Sequence, residues 1–269
     1  MKKTLISLLI AGALIAGLTR NVEAQQRRRG GTTTLTVGAN PTPHGELLEL
    51  VKDDLAKEGI ELKIVIYTDY VQPNTALLSR DLDANYFQHI PYLQSNPEWP
   101  QKLSFLWGVH VEPYGFYSAK YKKLSELPRG ATIALNNDPA NQGRALLLLE
   151  VNGLIKLKPG AGLNATVRDI TSNPKDFKFR ELEAAQLPRS LQDVDLAGIN
   201  GNYAIEAKLN PRDALALEGA KSLYVNGLVV RKGEEKDPRI AALKKVLQSK
   251  KIRDYIAGKW PNGSVVAGF

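Results

Sequence analysis

Apolar residues along this chain recur at two spacings, and the switch between them marks its elements. Leu35-Thr36-Val37-Gly38-Ala39 reads as a short strand ending in small residues, and Asn40-Pro41-Thr42-Pro43 as a turn. His44 then opens a helix whose apolar positions are Leu47, Leu48, Val51 and Leu55, and Gly59 ends it. Leu62–Tyr67 predicts a second strand, Thr75–Ser79 a short helix, and Leu82–Phe87 a third extended piece. His89–Leu93 begins another helix, and Phe105–Val111 is a strand followed by Pro113–Tyr117.

A second unit of the same kind starts near Leu124. Ala131–Leu135, Lys178–Leu182 and Asp195–Ile199 read as strands. A polar loop, Asn136–Gly143, separates the first of these from a helix over Arg144–Val151, and Tyr203–Leu209 is helical. Tyr224–Arg231 is a last long strand, and Asp237–Lys259 an amphipathic helical tail carrying Ile240, Leu243, Val246, Leu247, Ile252, Tyr255 and Ile256. Strands alternating with helices imply βαβ units and a mainly parallel sheet. The last strand and tail are expected to return to the first unit. The expected fold is α/β, with two lobes, two crossovers and a ligand cleft between them, since ligands sit outside the carboxyl ends of strands in open α/β sheets. Residues 35–122 with 229–269 would form one lobe and 123–228 the other.

The start of the chain follows neither spacing. Lys2 and Lys3 precede an apolar stretch from Leu5 to Leu18, and Val22-Glu23-Ala24 is a small-residue cleavage pattern. Residues 1–24 read as a cleaved secretory signal, because the apolar run is short of the ~20 residues needed to span a bilayer. Residues 25–34, with Arg27-Arg28-Arg29 and several Gly and Thr, read as a flexible tether. The expected location is therefore the periplasm, as a free protein.

Composition then narrows the chemistry. Hydrophobic residues are 43% and charged residues 24%, an ordinary globular balance over 269 residues that excludes collagen and whole-chain disorder. There is no cysteine, hence no disulfide, thiolate metal site or cysteine nucleophile. The three histidines (His44, His89, His110) share no ligand spacing of the H-x-x-x-H kind, so neither metal nor cofactor is expected. The formal charge of +8 is spread along the chain, and its one basic run lacks interleaved aromatics, so no nucleic-acid partner is expected. G-x-S-x-G, P-loop, G-x-G-x-x-G and H-E-x-x-H patterns are absent, and no enzyme activity is expected.

What the loops offer is recognition. Arg144, taken to lie at a helix start, pairs a guanidinium fork with a helix dipole and suits a carboxylate. Asn200, Asn202 and Asn226 lie at or in apolar strands, and an amide can serve both ends of a zwitterion. Tyr70, Tyr86, Phe87, Tyr92, Trp107, Tyr114 and Tyr117, with His89 and His110, could wall a pocket for an apolar or thioether side chain.

Five segments carry a likeness to a known family: Thr68–Asn74 (TDYVQPN), Asp83–His89 (DANYFQH), Asn137–Arg144 (NDPANQGR), Glu181–Arg189 (ELEAAQLPR) and Ile199–Ala204 (INGNYA). The chain from about Leu35 to Phe269 resembles the NlpA family, the methionine-binding proteins of bacterial ABC importers. The resemblance implies a periplasmic-binding-protein fold (type II-like) that closes around L- or D-methionine or a related small peptide. It implies delivery to a membrane permease with an ATPase partner. Carried over by motif, the ligand-binding set is Tyr70, Phe87, His89, His110, Asn141, Arg144, Asn200 and Asn226. Arg144 would hold the carboxylate, Asn226 and Asn200 the head group, and Tyr70, Phe87, His89 and His110 the side chain. Members are commonly lipoproteins with a cysteine after the signal, which this chain lacks. Another amino acid, a methionine-containing dipeptide, an enzyme on the same fold or a host-binding surface protein are the alternatives.

Overall fold

A computed structural model describes residues 32–219 and 222–269 of the chain. The expected signal segment, 1–24, and most of the expected tether lie outside the described residues. In chain order the first part comprises β1 (Thr33–Ala39), α1 (Glu46–Glu49), α2 (Lys52–Lys57), β2 (Ile60–Ile66), α3 (Gln72–Leu78), β3 (Ala84–His89), α4 (Ile90–Ser95), α5 (Trp99–Lys102) and β4 (Leu103–Val111). The second holds β5 (Gly115–Tyr117), β6 (Thr132–Asn136), α6 (Pro139–Val151), β7 (Lys156–Leu157), β8 (Ile170–Ser172), β9 (Lys178–Leu182), β10 (Leu196–Ile199), α7 (Gly201–Glu206) and β11 (Ala216–Leu217). The chain then returns through β12 (Val225–Arg231), α8 (Pro238–Leu247), α9 (Lys250–Lys259) and β13 (Val266–Ala267).

Two sheets result. The first has the order β13-β4-β12-β3-β1-β2, the second β11-β5-β10-β6-β9. β2 sits at an edge and alternates, with Ile60 and Leu62 buried while Glu61 and Lys63 are exposed. β3 lies between β1 and β12, and all six of its residues are buried, polar ones included. α1, α2, α8 and α9 cover one face of the first sheet through Leu47, Leu48, Leu55, Leu243, Leu247 and Ile252. The other face carries Leu77, Leu82, Leu93 and Leu103. The tail helices thus pack on the first sheet.

Three expectations change. The sheets are mixed rather than mainly parallel: β12 runs antiparallel to both β3 and β4, and β5 antiparallel to β10. The crossings also fall elsewhere. β5 pairs in the second sheet, so the first crossing is Glu112–Tyr114 rather than near 122. β12 lies entirely in the first sheet, which puts the return crossing at 218–224 rather than at 228. The tail is two helices, because Ser249 accepts from the Ile252 amide and starts a new one.

Gly143 marks a tight contact in the second lobe. A Cβ there would overlap the Leu163 carbonyl, backbone against backbone, with little room to relax. Gly143→Ala is expected to cost about 1–3 kcal/mol by overpacking. Thermal melts followed by circular dichroism should show a fall of several degrees; an unchanged melting temperature would mean that the 162–165 turn yields freely.

Candidate functional site

Strand ends from both sheets and the two crossings converge on one cavity. From the first lobe come Tyr70, in the loop after β2, and Phe87, Gln88 and His89, which end β3. Tyr92 follows in α4, and Glu112 lies on the first crossing. The second lobe supplies Asn141 and Arg144 from α6, and Asn200, Gly201 and Asn202 from the start of α7. Asn226 enters from β12, as that strand's second residue.

The expected set is brought together with one exception. Tyr70, Phe87, His89, Asn141, Arg144, Asn200 and Asn226 all line the cavity. His110 does not. It is fully buried behind Glu112, with Nε2 2.6 Å from Glu112 Oε1 and Nδ1 against the Tyr86 hydroxyl. Strand alternation explains this: His110 and Glu112 share a face of β4 and its extension, and Glu112 stands nearer the cleft.

Arg144 is 4% exposed. It is not at a helix start, since α6 begins at Pro139, capped by the Asp138 carboxylate on the Asn141 amide. The guanidinium is held instead by the two crossings. Nη2 donates to the Glu112 carbonyl at 2.9 Å, Nε donates to Glu218 Oε1 at 3.0 Å, and Nη2 also engages Glu218 Oε2. Its Cζ lies 4.1 Å from the centroid of the Tyr224 ring.

The amides divide into bound and free. Asn136 Nδ2 donates to Asn200 Oδ1 at 2.8 Å, and Asn200 Nδ2 to Asn141 Oδ1 at 2.9 Å. His89 Nε2 closes on the same Asn141 oxygen at 3.3 Å. Asn200 is thus a link in a chain of amides as well as a lining residue. Asn202 is different: its Oδ1 accepts from the Tyr70 hydroxyl at 2.6 Å across the cleft, while its buried Nδ2 has no partner. Asn226 Oδ1 faces His44 Nε2 at 3.2 Å, which turns its Nδ2 away from that ring. Two amide donors therefore remain for a ligand.

Sequence reasoning missed Glu112, Gln88 and Gly201 and did not place His44 in a polar network. Glu112 followed an apolar strand and preceded Pro113, and only the H-x-E pattern at a strand end could have marked it. His44, His110 and Glu112 bring three potential metal-ligand atoms within 4.8 Å of one another, all buried. Hydrogen bonding accounts for that convergence, since both imidazoles approach the same carboxylate oxygen.

Burial sets the protonation of the site. It pushes His44 down to about 4, and His89 and His110 to about 3. Nearby Glu112 opposes the shift at His44, whereas Arg144 adds to it at His89. Burial raises Glu112 and Asp138, against hydrogen bonds to both carboxylates.

Two α/β lobes joined by two crossings, with a small charged and aromatic cavity at their seam, define a two-lobed substrate-binding protein. The chain belongs to the NlpA lipoprotein family, whose model matches residues 35–269. It is 40% identical to the methionine-binding lipoprotein MetQ of Bacillus subtilis (strain 168), over 99% of this chain and 98% of that protein. Among solved structures, a nutrient binding protein from Burkholderia cenocepacia bound to methionine is 47% identical, with a TM-score of 0.84. That match covers 87% of this chain and all of the other. An ABC transporter periplasmic substrate-binding protein from Coxiella burnetii is 44% identical, with a TM-score of 0.81, over 87% of this chain and 100% of that one.

These relatives correct the expected location. The family and the B. subtilis protein are named as lipoproteins, which implies lipid anchoring at the cell surface rather than a free periplasmic protein. The expectation of a free protein rested on the cleavage pattern Val22-Glu23-Ala24 and on the missing cysteine. Among the described residues no helix is long and apolar enough to cross a membrane.

The three buried imidazoles make stability pH-dependent. Their folded values lie below the ordinary 6.5, so the unfolded chain binds protons first as pH falls. Their contribution is present above about 6.5 and is lost towards 4, with Glu112 and Asp138 partly opposing it. Thermal melts should show the melting temperature falling from pH 7 to pH 4.5; a flat profile would contradict neutral, buried histidines.

Proposed function

We propose that this protein captures methionine, of L or D configuration, and delivers it to an ABC importer made of a permease and an ATPase. One observation carries the reading. The residues lining the cavity include a single cation, Arg144, and a single anion, Glu112, set among aromatic rings. That is the complement of a zwitterion with an apolar tail. Arg144, Asn226 Nδ2 and Asn202 Nδ2 would take the carboxylate, and Glu112 the ammonium. Tyr70, Phe87, His89 and Tyr92 would enclose the side chain, where sulfur–aromatic contact adds roughly 0.3–1.5 kcal/mol. Asn141 and Asn200 would hold the lobe 2 wall in register through their shared bonds.

The relatives support the choice of ligand. The B. subtilis protein is named methionine-binding, and the B. cenocepacia structure holds methionine. The role is that of a receptor rather than an enzyme: contacts from both lobes favour the closed arrangement, so ligand binding shifts an open–closed equilibrium.

Calorimetry with methionine provides the test. Arg144→Ala and Asn226→Ala are each expected to weaken binding at least about tenfold, or ~1.4 kcal/mol. Wild-type affinity in both would remove the proposed site. Mass spectrometry of small molecules released on denaturing the purified protein should find methionine, and a thermal-shift panel of amino acids and dipeptides should rank it first.

A further inference from the structure

Three buried polar side chains have no part in the reading so far: His44, Tyr86 and His110. None lines the cavity, and each is at most 1% exposed. They come from separate elements, the turn before α1, the middle of β3 and the end of β4, yet they meet at Glu112 and Asn226.

With Glu112 ionised, the contacts place the hydrogens of this cluster. His110 has Tyr86 Oη on Nδ1 and Glu112 Oε1 on Nε2, the latter at 2.6 Å. A neutral imidazole has one N–H, and a carboxylate can only accept. The phenol therefore donates to Nδ1, and Nε2–H donates to Glu112. His44 Nε2 lies 3.4 Å from Glu112 Oε1 and 3.2 Å from Asn226 Oδ1, both acceptors, so it carries the hydrogen too. Its Nδ1 makes no hydrogen bond of normal geometry, although the Thr42 backbone stands near the ring. Every member of this cluster is then neutral except Glu112, toward which both imidazole N–H groups point.

An ionised carboxylate with few donors in an apolar interior would protonate instead. Here it has two imidazoles behind it and the backbone at Gly201 close against it from the second lobe. Gly201 allows that approach, since a Cβ there would stand 2.5 Å from Glu112 Cβ.

We infer that Tyr86, His110 and His44 are positioning residues that hold Glu112 as a charged acceptor for the ligand's α-ammonium, so that the site selects a free, protonated α-amine. This rests on the amino-acid reading above and adds what reads the amine. An analogue with a hydroxyl in place of the ammonium leaves the buried carboxylate without its counter-charge. An N-acylated one offers no charge there.

The test uses calorimetry on the full chain with L-methionine and with its 2-hydroxy analogue. The wild type is expected to prefer methionine by at least about a hundredfold, because a site built for a polar group strongly rejects the analogue lacking it. Glu112→Gln and His110→Leu should cut that preference to within about tenfold, through loss of methionine affinity, since a hydrogen bond to a charged group is the stronger kind. His110→Gln, which restores a donor, should recover part of it. Tyr86→Phe removes one oxygen and preserves packing, so it decides the matter if His110→Leu fails to fold: its preference should drop at least about threefold, the loss of one buried hydrogen bond. Variants that weaken both compounds equally, leaving the preference intact, overturn the positioning role. A wild-type preference below tenfold overturns the amine selection. A wild type that binds neither compound overturns the amino-acid reading itself.

Discussion

A guanidinium held almost out of water between two chain crossings is the constraint around which the rest of this molecule is arranged. Removing such a cation from solvent costs several kcal/mol unless its hydrogen-bonding positions are met. Arg144 meets that demand with the Glu112 carbonyl on one crossing and the Glu218 carboxylate on the other, under the ring of Tyr224. Because the partners lie on both connections, the side chain ties lobe 2 to each of them. The cavity wall is therefore built from the same residues that join the lobes.

Beside it stand a buried anion, Glu112, and a set of amides that continue the lobe 2 wall. The chain Tyr114, Asn136, Asn200, Asn141 and His89 runs from the second sheet to the end of β3, each link 2.8–3.3 Å long. In a low-dielectric seam such bonds strengthen one another, and a gap in the chain would leave a costly unpaired group. This explains why β3 carries Asn85, Gln88 and His89 at buried positions where an all-apolar strand would be expected. Asn85 and Gln88 satisfy each other and Asn74, while His89 reaches across.

Much of this was legible in the sequence. Lys178–Leu182 is a strand over the predicted residues, and Leu47, Leu48, Val51 and Leu55 form the predicted buried stripe. Seven of the eight expected site residues reach one cavity because the motifs naming them sit at strand ends. What could not be read was pairing. Nothing within Tyr224–Arg231 states that the strand runs against its neighbours, since direction is a property of two strands together. For the same reason His110 was expected in the pocket and Glu112 was overlooked: which of two residues on one strand face meets the cleft depends on where the strand stops. Arg144 was placed at a helix start because Pro139, a favoured first helical residue after a capping Asp, was read as loop.

The return crossing is followed within two residues by Asn226, with Tyr224 beneath Arg144 on one side and Val225 leading into the first sheet on the other. Hinge and reader thus occupy a single tripeptide. Asn226 belongs to the first sheet with the rings of lobe 1, so a swing of lobe 2 about this crossing would leave that amide among them while carrying Arg144 away.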